Sequence, residues 1–318
     1  CGGFSGEYEI SMQSAQLVKK HLDVEKYNAY VIVIEKDEWY YLSENNTKIK
    51  YDFSNFSLLI NGENITFQGV FNAIHGTPGE DGKLQAYFDL LNISYSTCNH
   101  LTATLTFNKF ICNQYLKNFG INVAEAVLIK KNDKVDAEAI VVKVGLPCFV
   151  KPADGGSSFG VTKVKKVTEL THAVTNAMQH GSQVIVEAFM QGREVTNGIY
   201  KNINGIKVLP ITEIVTNNEF FDFEAKYKGE SQEITPANLS EEVTQKVKET
   251  THKIYSTLGL SGICRADYII QNNEPFLIEI NTVPGQSAAS IIPQMAAYEG
   301  ISLKELYNEV IELALSNQ

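Results

Sequence analysis

Two carboxylates and an amide near the C-terminal end of the chain have the spacing of a metal site. Asp267 and Glu279 flank a turn predicted at Asn272-Asn273, so in a hairpin they lie roughly opposite each other. Like charges placed this way are destabilising, and replacing both carboxylates is expected to leave the fold intact. Asn281 shares the sheet face of Glu279, and these oxygen ligands suit magnesium bridging a nucleotide. A solvated edge hairpin is the alternative, which Arg265 on the same face disfavours.

A glycine–serine loop follows the strand predicted to end at Lys151. Residues 155–160 have the sequence GGSSFG, and successive backbone N–H groups in such a loop can wrap a phosphate. The chain contains neither the GxxxxGK[ST] nor the GxGxxG phosphate-binding pattern. The loop alone therefore indicates a phosphate site only weakly, and such a loop is more often a plain turn.

Two further segments have residue types that could bind small molecules. The apolar run at 184–190, VIVEAFM, includes the carboxylate Glu187 and could meet the edge and face of a purine, although from this segment alone an ordinary strand is the better explanation. His75 follows a strand predicted over 70–74, at the carboxyl end where α/β sheets bind ligands. A lone histidine is usually structural, but the glycines around this one suggest close backbone approach.

Strand-like and helix-like segments alternate along the chain, which is typical of an α/β fold. We predict three units, at residues 1–97, 98–184 and 185–318. The stretch 217–236 is polar and aromatic without a clear period. Loops of this length inside compact domains are usually functional, so we predict a lid there.

Several individual elements are predicted with defined bounds. They are a buried parallel strand at 30–34, a hairpin around Asn61-Gly62, one helix over 103–118, a helix over 241–258, a hairpin from 262–270 to 275–280, and a last helix starting at Ser302 with a capping box.

Composition excludes several classes of protein. The net charge is -10, with 27 basic and 37 acidic residues and no basic cluster, which disfavours a nucleic-acid partner. No apolar run approaches the roughly 20 residues of a membrane span, and no signal peptide is recognised. Five widely spaced cysteines without a CxxC pattern indicate reduced thiols of a cytoplasmic protein. Cys1-Gly2-Gly3 has the character of a strand end, so we expect part of a first strand to precede it.

Taken in order, these segments resemble the ATP-grasp superfamily and, within it, the D-alanine–D-alanine ligase family. The resemblance covers essentially the whole chain. Its matching stretches are 2–11 (GGFSGEYEIS), 75–82 (HGTPGEDG), 145–152 (GLPCFVKP), 156–160 (GSSFG), 187–194, 224–227 (EAKY), 262–267 and 279–285 (EINTVPG).

The resemblance implies an ATP-grasp fold of three sub-domains with an N-terminal doubly wound parallel sheet. It implies that two D-alanine molecules are joined through an acyl phosphate, with release of ADP and phosphate, for peptidoglycan precursor synthesis. It also implies a homodimer. The implied ATP contacts are Lys109, Lys151, Ser157, Glu187, Met190, Glu194 and Lys226. The implied ligands of two Mg²⁺ or Mn²⁺ ions are Asp267, Glu279 and Asn281.

The resemblance also implies contacts to the amino acids. The residues implied to bind D-alanine are Glu7, His75 and Ser290. Those implied to act in catalysis are Glu7, Ser157, Tyr227, Arg265, Gly285 and Ser290. Among them, Ser157, Tyr227 and Glu7 would link the lid to the site. Arg265 and the Gly285 N–H would stabilise an oxyanion. The general base for the second amine is not identified.

Two departures and two rival functions stand beside this interpretation. Asn108 and Phe223 occupy positions where the family usually has Asp and Tyr, which affects details of nucleotide contacts. One rival is an ATP-grasp ligase with another second substrate, such as D-lactate. The other is a nucleotide-binding regulatory protein without catalysis, which would need no oxyanion arginine such as Arg265.

Overall fold

A computed structural model describes residues 1–43, 45, 47–156, 160–216 and 231–316. The elements below are those found within these ranges. None of the helices there is long and apolar enough to cross a membrane.

The N-terminal region is built mainly from an antiparallel sheet. Its elements are α1 (Tyr8–His21), β1 (Ile32–Ile34), β2 (Trp39–Leu42), β3 (Lys48–Asp52), β4 (Ser57–Ile60), β5 (Glu63–Thr66), β6 (Gly69–Val70), α2 (Lys83–Leu90) and β7 (Ser94–Tyr95). Strands β1 to β5 pair in chain order. At the predicted hairpin, Asn61 and Gly62 have φ of 50° and 84°, the conformation that two-residue hairpin turns require.

The predicted doubly wound parallel sheet is only partly present in this region. Among the described residues of this region, parallel pairing is confined to β6 with β7 and a bridge between Gly2 and Ile34. The predicted strand at 30–34 shortens to β1 and pairs antiparallel with β2. Two to five residues connect the successive strands β1 to β5, and such connections permit only antiparallel neighbours, because a parallel crossover needs about a dozen residues or more.

A second antiparallel sheet, of order β10-β9-β11-β8, follows. The elements of this region are α3 (His100–Phe107), α4 (Lys109–Lys117), β8 (Ala126–Lys130), α5 (Ala137–Val144), β9 (Cys148–Pro152), β10 (Thr162–Val164), α6 (Val167–Ala177) and β11 (Gln183–Ala188). Because β11 pairs with β8 up to Glu187 and with β9 up to Ala188, the boundary predicted at 184/185 would divide it, and we propose to end this unit at Ala188.

The helix predicted over 103–118 is two helices, α3 and α4. Asn108 between them has an extended backbone, with φ -91° and ψ 100°, and its side chain accepts a hydrogen bond from the Ile111 N–H. Asn108 is therefore an N-cap, and its amide also donates to Gln183. This break makes Lys109 the first residue of α4.

A third sheet, of order β14-β13-β12-β15-β16, is also antiparallel. The elements of this region are β12 (Arg193–Asn202), β13 (Gly205–Thr216), β14 (Ser231–Ile234), α7 (Glu241–Thr257), β15 (Cys264–Gln271), β16 (Glu274–Asn281), α8 (Ile291–Tyr298) and α9 (Leu303–Ser316). The predicted β15–β16 hairpin is confirmed, and Asn272 and Asn273 at its turn have φ of 53° and 62°.

Helices cover one side of the second and third sheets. Leu170, Ala173 and Val174 of α6 share a buried cluster with the second sheet, and Val247 and Ile254 of α7 share one with the third. This packing leaves a cleft between the two sheets, lined by side chains from both.

Candidate active site

Two cavities meet in the cleft. The larger, of about 640 Å³, lies between the second and third sheets. The smaller, of about 340 Å³, extends towards α1 and the segment after β16. The residues that line both are Glu7, Lys109, Gly155, Gly156 and Glu279. A ligand in one cavity could therefore reach a ligand in the other beside this shared wall.

A buried ion pair and two aromatic rings line or border the larger cavity. Lys151 on β9 and Glu187 on β11 lie on adjacent strands, and their charged atoms are 2.5 Å apart. The rings of Phe149 and Phe189 are 5.9 Å apart, and the Lys163 ammonium lies 4.4 Å from the centre of the Phe189 ring. Met190 and Glu194 line the same cavity. This end offers apolar faces next to polar edges.

The predicted pairing of the hairpin carboxylates is confirmed. Asp267 and Glu279 are cross-strand partners, and Arg265 is the partner of Asn281. Arg265 donates to both oxygens of Asp267 at 2.8 Å, and Asn281 donates to one of them at 3.1 Å. The buried Thr196 hydroxyl donates to the same carboxylate at 2.5 Å. Burial lowers the pKa of Arg265, but the charge and hydrogen bonds of Asp267 raise it by more, so the guanidinium stays charged.

Lys109 joins the hairpin to the glycine loop. Its ammonium lies 3.0 Å from the Glu279 carboxylate and donates to the Gly155 carbonyl at 2.5 Å. Burial lowers the pKa of Lys109, but the charge of Glu279 raises it by more, with a net increase. Gly156 approaches Glu7 so closely that a Cβ built on it would lie 3.0 Å from the carboxylate. The backbone of residues 155–156 therefore lies between Lys109 and Glu7.

Glu80 connects the loop after His75 to the segment after β16. Its two oxygens accept hydrogen bonds from the Gly76 N–H at 2.7 Å and the Val283 N–H at 3.0 Å. Burial, with the nearby charge of Glu7, raises the pKa of Glu80 to about 7. Glu80 therefore changes its charge near neutral pH.

The segment after β16 forms the far wall of the smaller cavity. The Ser290 hydroxyl accepts a hydrogen bond from the Ser287 N–H and lies against Gly285, where a Cβ would meet it at 2.7 Å. The His75 ring is buried, with its Nδ1 2.6 Å from the Val283 carbonyl and its Nε2 3.1 Å from the Ser14 hydroxyl. Burial lowers the pKa of His75.

Most residues predicted for the site line these two cavities. They are Glu7, His75, Lys109, Lys151, Glu187, Met190, Glu194, Arg265, Asp267, Glu279, Asn281, Gly285 and Ser290. Predictions on Ser157, Phe223, Lys226 and Tyr227, and on most of the lid at 217–236, fall outside the described residues.

Sequence reasoning assigned no role to three residues that contact the site. Glu80 lies within the HGTPGEDG stretch, and its position among these glycines could have identified it as a site residue. Thr196 and Ser14 carry no such signal, because threonine is an ordinary residue in a strand and a single serine in a helix indicates no particular chemistry. Their roles depend on contacts to Asp267 and His75, which are distant in sequence.

Two antiparallel sheets that enclose a cleft of lysines and carboxylates define an enzyme with the ATP-grasp fold, and solved structures share it. VanG D-Ala:D-Ser ligase from Enterococcus faecalis has a TM-score of 0.88 at 31% identity and covers 98% of this chain and 97% of its own. The D-alanine–D-alanine ligase of Bacillus anthracis complexed with ATP has a TM-score of 0.78 at 26% identity, covering 99% and 96%.

Sequence comparisons show to which family of ATP-grasp enzymes the chain belongs. Family models for the N-terminus and C-terminus of D-ala D-ala ligases match residues 1–98 and 115–312. A D-alanine–D-alanine ligase of Flavobacterium johnsoniae is 49% identical over 99% of this chain and 98% of its own length. That of Phocaeicola vulgatus is 48% identical, covering 98% and 96%. The chain belongs to the D-alanine–D-alanine ligase family.

Proposed function

We propose that the protein joins two molecules of D-alanine to D-alanyl-D-alanine through an acyl phosphate, with release of ADP and phosphate from ATP, for peptidoglycan precursor synthesis. The observation that carries this proposal is the shared wall of the two cavities. A nucleotide in the larger cavity and amino acids in the smaller one would meet at Lys109, Glu279 and the 155–156 backbone. That is where a γ-phosphate and a substrate carboxylate must come together.

In this proposal the nucleotide lies along the larger cavity. Its base stacks at the Phe149 and Phe189 end, with Glu187 and the Met190 backbone at its polar edge, and Glu194 contacts the ribose. Lys151 and Lys109 contact the phosphates. Both lysines are paired with carboxylates in the absence of ligand, and a polyphosphate offers them a stronger acceptor. Contacts from Ser157 and Lys226 remain predictions.

The hairpin suits magnesium by the chemistry of its donors. Asp267 and Glu279 supply carboxylates and Asn281 an amide, which are hard oxygen ligands. The described residues contain no cluster of three or more histidine, cysteine or acidic groups that would hold a metal by itself, which fits an ion whose remaining ligands are phosphate and water. Two bound Mg²⁺ or Mn²⁺ ions would neutralise phosphate charge.

The reaction then has two steps. The carboxylate of the first D-alanine, with its ammonium near Glu7, attacks the γ-phosphate; the bond to the β-phosphate oxygen breaks, leaving ADP and an acyl phosphate. The amine of the second D-alanine, with its carboxylate near Ser290, attacks the acyl carbon and loses a proton. Arg265 and the Gly285 N–H stabilise the oxyanion before phosphate leaves. Removing one such donor typically slows a reaction about 100-fold or more.

D-alanine is the proposed second substrate because the curated relatives at 46–49% identity bear the name D-alanine–D-alanine ligase. The structural similarity to a D-Ala:D-Ser ligase at 31% identity makes D-serine the second candidate. D-lactate is disfavoured by the Lys226-Tyr227 pair, which is typical of dipeptide makers in this family. A neutral tyrosine, with a reference pKa of about 10, does not repel an incoming ammonium.

One assay separates these possibilities. Purified protein with ATP and Mg²⁺ receives D-alanine alone, or D-alanine with excess D-serine or D-lactate, at pH 7. We expect ADP release with D-alanine alone and mainly D-alanyl-D-alanine by mass spectrometry in every mixture. Predominance of the mixed dipeptide or of the ester would reassign the second substrate. Absence of D-alanine-dependent ADP release would identify a binding protein without catalysis.

The resemblance further supports a homodimer located in the cytoplasm. All five cysteines are free thiols, as a reducing compartment requires. Light scattering coupled to size exclusion should give about twice the 35.3 kDa of one chain. A single-chain mass at micromolar concentration would contradict the dimer.

A further inference from the structure

A closed hydrogen-bond network links α1 to the segment around Gly285. It consists of Ser14, His75, Val283 and Gln286, and we call it the Ser14–His75 network. Ser14, His75 and Gln286 are 0%, 3% and 3% exposed. The Ser14 hydroxyl lies 3.1 Å from His75 Nε2 and accepts from the Gln286 N–H at 3.0 Å. His75 Nδ1 lies 2.6 Å from the Val283 carbonyl.

The partners assign every proton in this network. A carbonyl can only accept, so Nδ1 of His75 carries the hydrogen. The pKa of His75 is lowered by burial, so the ring is neutral near pH 7 and its Nε2 accepts. The Ser14 hydroxyl therefore donates to Nε2 while its oxygen accepts from Gln286. Neither ring nitrogen of His75 remains to bind a substrate, although the residue lines the smaller cavity.

The network holds both sides of Gly285. Val283 is two residues before Gly285, and Gln286 is the residue after it. Ser14 contacts Gln286 directly and fixes Val283 through His75. A second contact to the same segment comes from Glu80, which accepts from the Val283 N–H. The direction of the Gly285 N–H is set by the backbone between these fixed points.

We propose that Ser14 is a positioning residue that directs the Gly285 N–H towards the oxygen of the carbon under attack. Ser14 acts on Gln286 directly and on Val283 through His75. This rests on the proposed function, in which Gly285 stabilises the oxyanion. His75 then positions this segment and does not itself contact D-alanine. An oxyanion donor is effective only when it is held in place before the charge develops.

Ser14→Ala tests this proposal, and Ser11→Ala is its matched control. Ser11 lies one turn earlier on α1, is equally buried at 0% exposure, and also makes two hydrogen bonds, from the Gly2 N–H at 2.8 Å and to the Ala73 carbonyl at 2.7 Å. Neither bond reaches the segment around Gly285. Both variants lose one buried hydroxyl, so a general effect of packing should appear in both.

The decisive measurement is the affinity for a phosphinate mimic of the tetrahedral intermediate in the presence of ADP. We expect Ser14→Ala to weaken this affinity and to lower kcat by about tenfold or more, with the KM of the first D-alanine changed less than threefold. Ser11→Ala should leave all three within about twofold. If Ser14→Ala does not fold, Ser14→Cys provides a side chain of the same shape, slightly larger, with a weaker donor and acceptor. It should change the mimic affinity and kcat in the same direction.

Each outcome has one meaning. Unchanged mimic affinity in Ser14→Ala or Ser14→Cys overturns the proposal, as does an equal loss in Ser11→Ala. A wild-type protein that makes no D-alanyl-D-alanine instead overturns the proposed function. In the double variant Ser14→Ala/His75→Gln, the loss should hardly exceed that of the larger single one, because both changes break one network. Additive losses would contradict the shared action of the two residues.

Discussion

Replacing Asp267 by Asn should destabilise the ligand-free protein, against the expectation from sequence that removing like charges leaves the fold intact. Each carboxylate of the hairpin has its own cation. Asp267 accepts two hydrogen bonds from Arg265, and Glu279 is paired with Lys109. The Asp267→Asn change therefore removes the partner of a buried cation, and relief of repulsion with Glu279 is the smaller effect.

The expected loss follows from burial of the pair. The side chains of Arg265 and Asp267 are only 19% and 12% exposed. Removing one partner of a buried ion pair costs roughly 3–5 kcal/mol, because the remaining charge stays buried without compensation. Residual exposure and the retained Asn281 contact favour the lower end, about 3 kcal/mol. The Thr196 hydroxyl can still donate to an asparagine oxygen, so its contact should persist.

Urea unfolding in magnesium-free buffer, followed by far-UV circular dichroism, measures this loss. Arg265→Met and the double variant Asp267→Asn/Arg265→Met complete a double-mutant cycle. We expect the double variant to be more stable than Asp267→Asn alone, since it leaves no unpaired cation. A single variant Asp267→Asn as stable as the wild type, or more so, would show that repulsion between the carboxylates dominates and would refute the reasoning.

Two further predictions concern pH and backbone conformation. The pKa of Glu80 is about 7 in the folded protein, against an ordinary value of 4.5. Between these two pH values the folded protein holds a proton that the unfolded chain has lost. The contribution of Glu80 to the free energy of unfolding therefore falls by about 3 kcal/mol as the pH rises from 4.5 to 7. Glu80→Gln should flatten this slope in urea midpoints at pH 5 and 8; equal slopes would contradict the assignment. Gly262→Ala should destabilise by several kcal/mol, because φ is +68° and the new Cβ would lie 1.9 Å from the Ser96 carbonyl. Gly300→Ala, at φ +75° with open space, should cost only about 1 kcal/mol, and similar melting temperatures for the two variants would count against the clash.

Local sequence patterns predicted the parts of the site that lie close together along the chain. The β15–β16 hairpin follows from alternation around two asparagines that tolerate positive φ, and its register places Asp267 opposite Glu279. The same logic found the hairpin at Asn61-Gly62. Ser302 accepts from the Glu305 N–H at the start of α9, as the capping pattern predicts.

Sequence patterns gave wrong or no predictions where the structure depends on a competing local interaction or on a contact between residues distant in sequence. Periodicity through residues 103–118 predicts one helix, but the side chain of Asn108 caps a new one. The apolar run at 30–34 suits a parallel strand, yet the short connection to β2 makes its pairing antiparallel. The partners of Ser14 lie 61 and 272 residues away, and no period in the sequence encodes such contacts.

Three of the cation–carboxylate pairs among the described residues of the cleft act as internal counterions. Lys151–Glu187, Lys109–Glu279 and Arg265–Asp267 leave each cation neutralised before any ligand arrives. Under the proposed roles, nucleotide binding exchanges the partners of Lys151 and Lys109, which pass from a carboxylate to a phosphate, whereas Arg265 acts on the oxyanion. We therefore expect nucleotide affinity to depend weakly on ionic strength, unlike binding to an exposed cluster of lysines. The same pairs can re-form as ADP departs, so product release leaves no buried charge uncompensated.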